Sequence, residues 1–404
     1  MKAYERFLEY VKINTQADPK SGSVPSTEGQ TVLAKMLVEE LKSLGVENAY
    51  LDDSGVVYGK IKGNANKACK TVGFIAHLDT SPDMSGENVR SRIVKNYDGG
   101  RIELSDHAHM DPSTFPNLEN KVGHDLIVTD GTTLLGADNK AGIAIIMSFV
   151  ERIMKGDILH GDISIAFTPD EEIGRGADNF DVEAFGADIA YTVDGGDISV
   201  FEYENFNAAS ANVVVNGSSI HPGYAKGKMK NAILLAMEFQ SLLPAFMNPA
   251  YTEKYEGFYH ITDINGMCEK AEMEYIIRNH DDKLFNEQKE FFMKAAEFMN
   301  AKYGENTFEV SVKDSYYNMR KMIEKDMTVV DIALEAMREI GITPQIEPIR
   351  GGTDGARLTY MGLPCPNIGT GGYNFHGKYE YLSINEMDKS VELITRITGK
   401  LISN

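Results

Sequence analysis

Cysteine is scarce: the 404 residues hold three, Cys69, Cys268 and Cys365, an odd number set far apart. That excludes a disulfide framework and points to reduced thiols in a cytoplasmic protein. Long hydrophobic runs are missing as well. The longest apolar stretch, AGIAIIMSFV at 141–150, falls well short of the roughly 20 residues a membrane span needs. The first residues, MKAYERFLEYVKINTQ, space Tyr4, Phe7, Leu8 and Val11 as a surface helix does, with charges between them, and do not read as a secretory signal. Positive charge is in deficit: 40 Lys and Arg against 60 Asp and Glu give a formal net charge of −20 and a pI near 4.9. Nucleic acid and anionic membrane are therefore poor partners. Internal repeats and low-complexity tracts are lacking. What is present is an ordinary soluble composition, 42% apolar and 25% charged. Its length suits about two or three domains of roughly 150 residues each.

Local signals order the chain. Thr27 with Gln30 three residues on reads as a capping box opening a helix. That helix places Val32, Leu33, Met36, Leu37, Leu41 and Leu44 on one side and stops at Gly45. TVGFIAH (71–77), DISIAFT (162–168) and ADIAYTV (187–193) are near-continuous apolar segments, as strands buried on both faces should be. The apolar helix NKAGIAIIMSFVERIMKG (139–156) lies between the first two, and this alternation predicts an α/β sandwich around a mixed or parallel sheet. From residue 208 the pattern becomes β-α-β-β-α-β over about 110 residues, the ferredoxin-like order. After residue 320 the α/β texture resumes. The prediction is a discontinuous main domain, 1–207 and 320–404, with a smaller domain, 208–319, inserted in it.

Ligands of open α/β sheets bind beyond the carboxyl ends of the strands. Here those ends are unusually polar. The first strand ends in His77-Leu78-Asp79, the second in Asp170-Glu171-Glu172 and the third in Asp194-Gly195-Gly196. Asp138 stands where a connection enters the apolar helix, and His376 lies in a glycine-rich loop. Each has an ordinary structural explanation alone: Asp138 as an N-cap, Asp194 as a turn residue, the acidic triplet as a solvated loop. Together, three successive strands ending in imidazole and carboxylate point to a metal centre. Three adjacent carboxylates also need a positive charge among them. A second cluster, His107 and His109 in SDHAHMD, reads as a solvated polar loop.

The segments HLDT (77–80), LLGADNKAG (134–142), FTPDEEIG (167–174), VDGG (193–196), RGGTDGARL (350–358) and TGGYNFHGKYE (370–380) together resemble the cocatalytic dizinc exopeptidases, a clan that includes aminoacylases and carboxypeptidases. The resemblance runs over essentially the whole chain. It implies a zinc-exopeptidase-like α/β catalytic domain, with a mixed sheet between helices, and an inserted ferredoxin-like α+β lid of the dimerisation type, so that a homodimer is one expectation. It implies two Zn²⁺ ions bridged by Asp138, with His77 and Asp194 completing one shell and Glu172 and His376 the other. Asp79 would orient His77 from behind, and Glu171 would stay off the metals as general base. A water shared by the ions, its pKa lowered toward roughly 7, would attack the peptide carbonyl.

The implied activity is removal of the N-terminal residue from tripeptides. A dipeptidase, a carboxypeptidase and an N-acyl amino-acid deacylase are its rivals on the same centre, and a non-catalytic, zinc-stabilised peptide-binding protein is a more distant one. Arg350, on the glycine-rich turn RGGTDG, suits a bidentate grip on a substrate carboxylate. His221 (SSIHPGYAKGK) resembles a histidine that donates to the oxyanion, and Arg278 (YIIRNH) a substrate-side arginine.

Overall fold

The computed structural model describes residues 1–403. The chain forms two compact units: Met1–Tyr203, Lys321–Glu347 and Thr353–Asn404 in one, Glu204–Arg320 and Pro348–Gly352 in the other.

The first unit is built on an eight-stranded mixed sheet. Its centre is made by Ile163–Thr168, Val72–His77, Ile189–Gly195 and Asn367–Gly369, side by side and all parallel. Val57–Ile61 runs antiparallel on one flank and Val200–Glu202 on the other. The central strands are buried almost throughout, which is why their sequences are continuously apolar rather than alternating. His77 pairs with Thr168 across the first two strands, so the polar residues that follow both strands emerge together at the carboxyl edge.

Helix Ala137–Met154 packs on this sheet and against the first helix, Ala3–Tyr10, and the last, Ile384–Ser403. Ile143 through Met147, Phe149 and Val150 are wholly buried on it, and Phe149 meets Phe74 edge-on with ring centroids 5.1 Å apart. Each such side chain contributes about 1.5–3 kcal/mol of apolar burial. Gly142 is required here. A Cβ on it would lie 2.0 Å from the carbonyl oxygen of Val193, so only glycine lets this helix sit against the strand that carries Asp194.

Helix Glu28–Ser43 buries Leu33, Leu37 and Leu41, while Val32 and Met36 are exposed. Its predicted capping box is absent, because the Gln30 amide is drawn to the Asp170 carboxylate, 2.7 Å away. The strands Gly372–Tyr373 and Tyr381–Ser383, with Leu126–Val128 and Arg92–Val94, form a second, four-stranded sheet that holds the loop bearing His376 between its first two strands. The histidine pair expected in a loop belongs to a hairpin instead: His109 lies on strand Ala108–Met110 opposite Glu103, and His107 is in the turn.

The second unit is a four-stranded antiparallel sheet in the order Phe258–Gly266, Lys270–Asn279, Asn207–Asn216, Phe308–Tyr316. Helices Ala232–Leu242 and Asp282–Tyr303 cover it around a core that includes Phe239, Tyr275 and Phe292. Sheet order and connectivity are those of a ferredoxin-like fold. Pro348–Gly352 belongs to this unit, whereas the sequence placed it in the main domain. The reason is local bonding: Ile349 N donates to Glu204 O, and the Arg350 guanidinium donates to carbonyls of Thr252, Lys254 and Glu256.

Candidate metal centre

The carboxyl ends of the parallel strands bring five of the predicted side chains into two groups. His77, Asp138 and Asp194 form one, Asp138, Glu172 and His376 the other, with ligand atoms within 4.8 Å of one another in each. These are the groups of this kind among the described residues. Asp138 belongs to both, and its two oxygens face different ways. Oδ1 lies 2.8 Å from His77 Nε2, and Oδ2 lies 3.3 Å from His376 Nε2. Asp194 Oδ1 stands 3.3 Å from the same nitrogen of His77, and Glu172 Oε2 stands 3.0 Å from His376 Nε2. Asp138 does not cap the helix: its carboxylate faces the two histidines, Asn139 Oδ1 accepts from the Gly142 N–H instead, and both residues have non-helical backbone angles.

Asp79, wholly buried, ties the first strand end to the second. Its Oδ1 accepts from the Glu171 N–H and its Oδ2 from the Glu172 N–H, both at 3.0 Å, and Oδ1 also lies 3.2 Å from His77 Nδ1. The Asp79 carbonyl is 3.0 Å from the same nitrogen, so Nδ1–H is held and Nε2 is left to face Asp138.

Comparison with known proteins follows the same outline. The model of the peptidase family M20/M25/M40 matches residues 107–400. The chain is 53% identical over 98% of its length, and 98% of the relative's, to peptidase T of Caldanaerobacter subterraneus subsp. tengcongensis. Among solved structures it is similar to a tripeptidase of Staphylococcus aureus (TM-score 0.80, 21% identity, covering 100% and 98% of the two chains). It is similar also to aminopeptidase PepT of Bacillus cereus (TM-score 0.77, 22% identity, 99% and 98%). The chain belongs to the M20/M25/M40 peptidase family.

The donor chemistry fits a pair of divalent cations. Glu172 Oε1 and Asp194 Oδ1 are buried with no hydrogen-bond partner, although buried carboxylate oxygens are costly to leave unpaired. The charges also strain against one another. Burial and the nearby Asp138 push the Glu172 carboxyl up to about 7, and burial with Asp138 does the same for Asp194. Hydrogen bonds to Asp138 and Glu172 raise the His376 ring to about 11. For His77, burial opposes the charge, but Asp194, Asp138 and Asp79 outweigh it and raise the ring well above its usual value. Protons are drawn to every ligand except Asp138, and imidazole with carboxylate is the donor set that zinc and similar ions take.

Glu171 is in neither group. Burial, then the charges of Asp354, Asp194 and Glu172, raise its carboxyl well above the ordinary range, which suits a proton acceptor. The third carboxylate of the run faces elsewhere: Asp170 accepts from Ser26 N (2.8 Å), Ser26 Oγ (2.5 Å) and Gln30 Nε2 (2.7 Å). The triplet is thus divided among a clamp, a candidate base and a candidate ligand.

The other predicted residues lie in the second unit. His221 is exposed, and its Nδ1 accepts from Gly223 N at 3.1 Å, so the neutral ring carries its proton on Nε2 as a donor. Arg278 donates to the carbonyls of Ala209 and Ile277 and lies 5.2 Å from the Tyr316 ring. Arg350, expected to grip a substrate carboxylate, has both terminal nitrogens bonded to Thr252, Lys254 and Glu256.

Two buried acids were missed from the sequence. Asp354 accepts from Thr168 Oγ1 at 2.8 Å beneath the second strand end. Glu380 accepts from three backbone amides beside Asp138. Both lie inside the motifs RGGTDGARL and TGGYNFHGKYE, but neither follows the carboxyl end of an apolar strand, the signal that singled out His77, Asp79, Glu171, Glu172 and Asp194.

Proposed function

We propose that the chain removes the N-terminal residue from tripeptides with the help of two divalent cations, zinc being the ion we assign. The observation that carries this reading is Asp138, whose two oxygens each face a different donor group. Bound there, the two ions would supply Lewis-acid polarisation of the peptide carbonyl and a water of lowered pKa. His77, Asp138 and Asp194 would hold one ion, and Asp138, Glu172 and His376 the other. Glu171 accepts the proton of the attacking water and returns it to the amine that leaves. Asp79 keeps the Glu171–Glu172 turn and the His77 ring in place for this. The unpaired cysteines suit a cytoplasmic location, which we assign on that ground.

The second unit supports a further reading, that it limits the length of peptide accepted, with His221, Arg278 and Arg350 as its substrate-side candidates. Equal turnover of pentapeptides and tripeptides would rule that out. The activity itself is tested by offering Ala-Ala-Ala together with its N-acetyl and C-amide forms. An aminopeptidase cleaves the free tripeptide and loses the acetylated one. Preferred cleavage of the acetylated peptide would establish a deacylase or carboxypeptidase instead.

A further inference from the structure

Glu380 is almost wholly buried and four residues beyond His376. Its carboxylate reaches across 242 residues of sequence to the turn that leads into Asp138. Oε2 accepts from the Leu135 N–H at 2.6 Å and the Gly136 N–H at 2.8 Å, and Oε1 accepts from the N–H of Asp138 itself at 3.0 Å. Its own N–H closes a turn onto Gly377 O at 3.2 Å, so the same residue is tied back to the loop that carries His376. Gly136, which it grips, has φ 82°, a left-handed angle that leaves its N–H free to turn inward. Lys140, buried one turn further along the helix, donates to Ile13 O at 2.7 Å.

We propose that Glu380 is a positioning residue that sets Asp138 against His376. It belongs to neither of the two ligand groups. Three amide donors converging on one carboxylate fix the backbone of Asp138 to within hydrogen-bond tolerance, and the turn onto Gly377 carries that position to the His376 loop. Asp138 is shared by both groups, so loosening it must weaken both ions together. Loss of a ligand unique to one group weakens that ion first. This inference rests on the two-cation reading above.

The test replaces Glu380 by Gln, which keeps the volume but sets an NH₂ against backbone donors. Native and variant proteins, stripped with chelator, are titrated with Co²⁺ by calorimetry and by the visible absorption of the bound ion. The expected result is a 10–100-fold loss of affinity at both positions, the range for residues that orient ligands, with an altered Co²⁺ spectrum. His376→Ala should weaken one position far more than the other. Activity of Glu380→Gln should fall in kcat with little change in KM and recover in part when Co²⁺ is raised.

Glu380→Asp keeps the charge and withdraws it by one methylene, and should show a smaller loss in the same direction. It also serves if the Gln variant does not fold. If native protein binds two ions and these variants match it in affinity and spectrum, Glu380 is only a structural residue. If native protein binds none, the two-cation reading fails first and the proposal with it.

Discussion

Asp79→Asn changes one buried group and leaves the side-chain volume intact. In the native protein the carboxylate accepts two amide hydrogens, from Glu171 and Glu172, each at 3.0 Å. Asparagine offers one oxygen, so one of these amides loses its acceptor and meets an NH₂ group. Losing a charge-assisted bond costs about 1.5–3 kcal/mol, and a buried unpaired donor about 1–3 kcal/mol; the two overlap, giving a net loss of roughly 2–4 kcal/mol. The His77 tautomer should survive, because its Nδ1 also faces the Asp79 backbone carbonyl at 3.0 Å, which the substitution keeps. Activity should therefore fall through the loosened Glu171–Glu172 turn, by about 10–100-fold. Urea unfolding of the metal-free protein reads the stability, and hydrogen exchange reads the turn, where the amides of Glu171 and Glu172 should lose protection. Native protection at both amides with unchanged stability would refute the assignment of Asp79.

Three further outcomes are expected. Glu171→Gln should lower kcat by about 10²–10⁴ while metal content stays native, measured by steady-state kinetics and elemental analysis together. Asp170→Ala strips the acceptor from Ser26 and from Gln30, and should cost about 3 kcal/mol in urea unfolding; Asp170→Asn should cost less. Burial, against one hydrogen bond from Asn367, pushes the Glu202 carboxyl up to about 7. A carboxyl raised on folding stabilises fully below its unfolded value near 4.5, and that contribution is lost as pH climbs through about 7. Metal-free Glu202→Gln should therefore lose this slope and be more stable than native at pH 8, by on the order of 2 kcal/mol. Parallel stability–pH curves for the two proteins would contradict it.

What could be read from the sequence follows from where the information sits. The central strands are continuously apolar because they are buried on both faces, so their ends, and His77, Asp79, Glu172 and Asp194 at those ends, stand out. The apolar helix was legible as a long apolar segment between two strands, and the inserted β-α-β-β-α-β order by its succession of strand and helix patterns. Glu380 and the role of Asp170 were not, because each acts by accepting from donors far away in sequence, and any acid can do that. Gln30 misled for the same reason: a local capping signal gave way to a buried carboxylate 140 residues on. Pro348–Gly352 crossed to the second unit through carbonyl bonds to Arg350, which no pattern of residue types announces.

Elemental analysis of the active protein, before and after dialysis against a chelator, bears most directly on the shared carboxylate at Asp138. Two equivalents of divalent metal per chain, lost along with tripeptide hydrolysis and both restored by adding Zn²⁺ back, is the predicted result. Full hydrolysis by a chain carrying no divalent metal would contradict it.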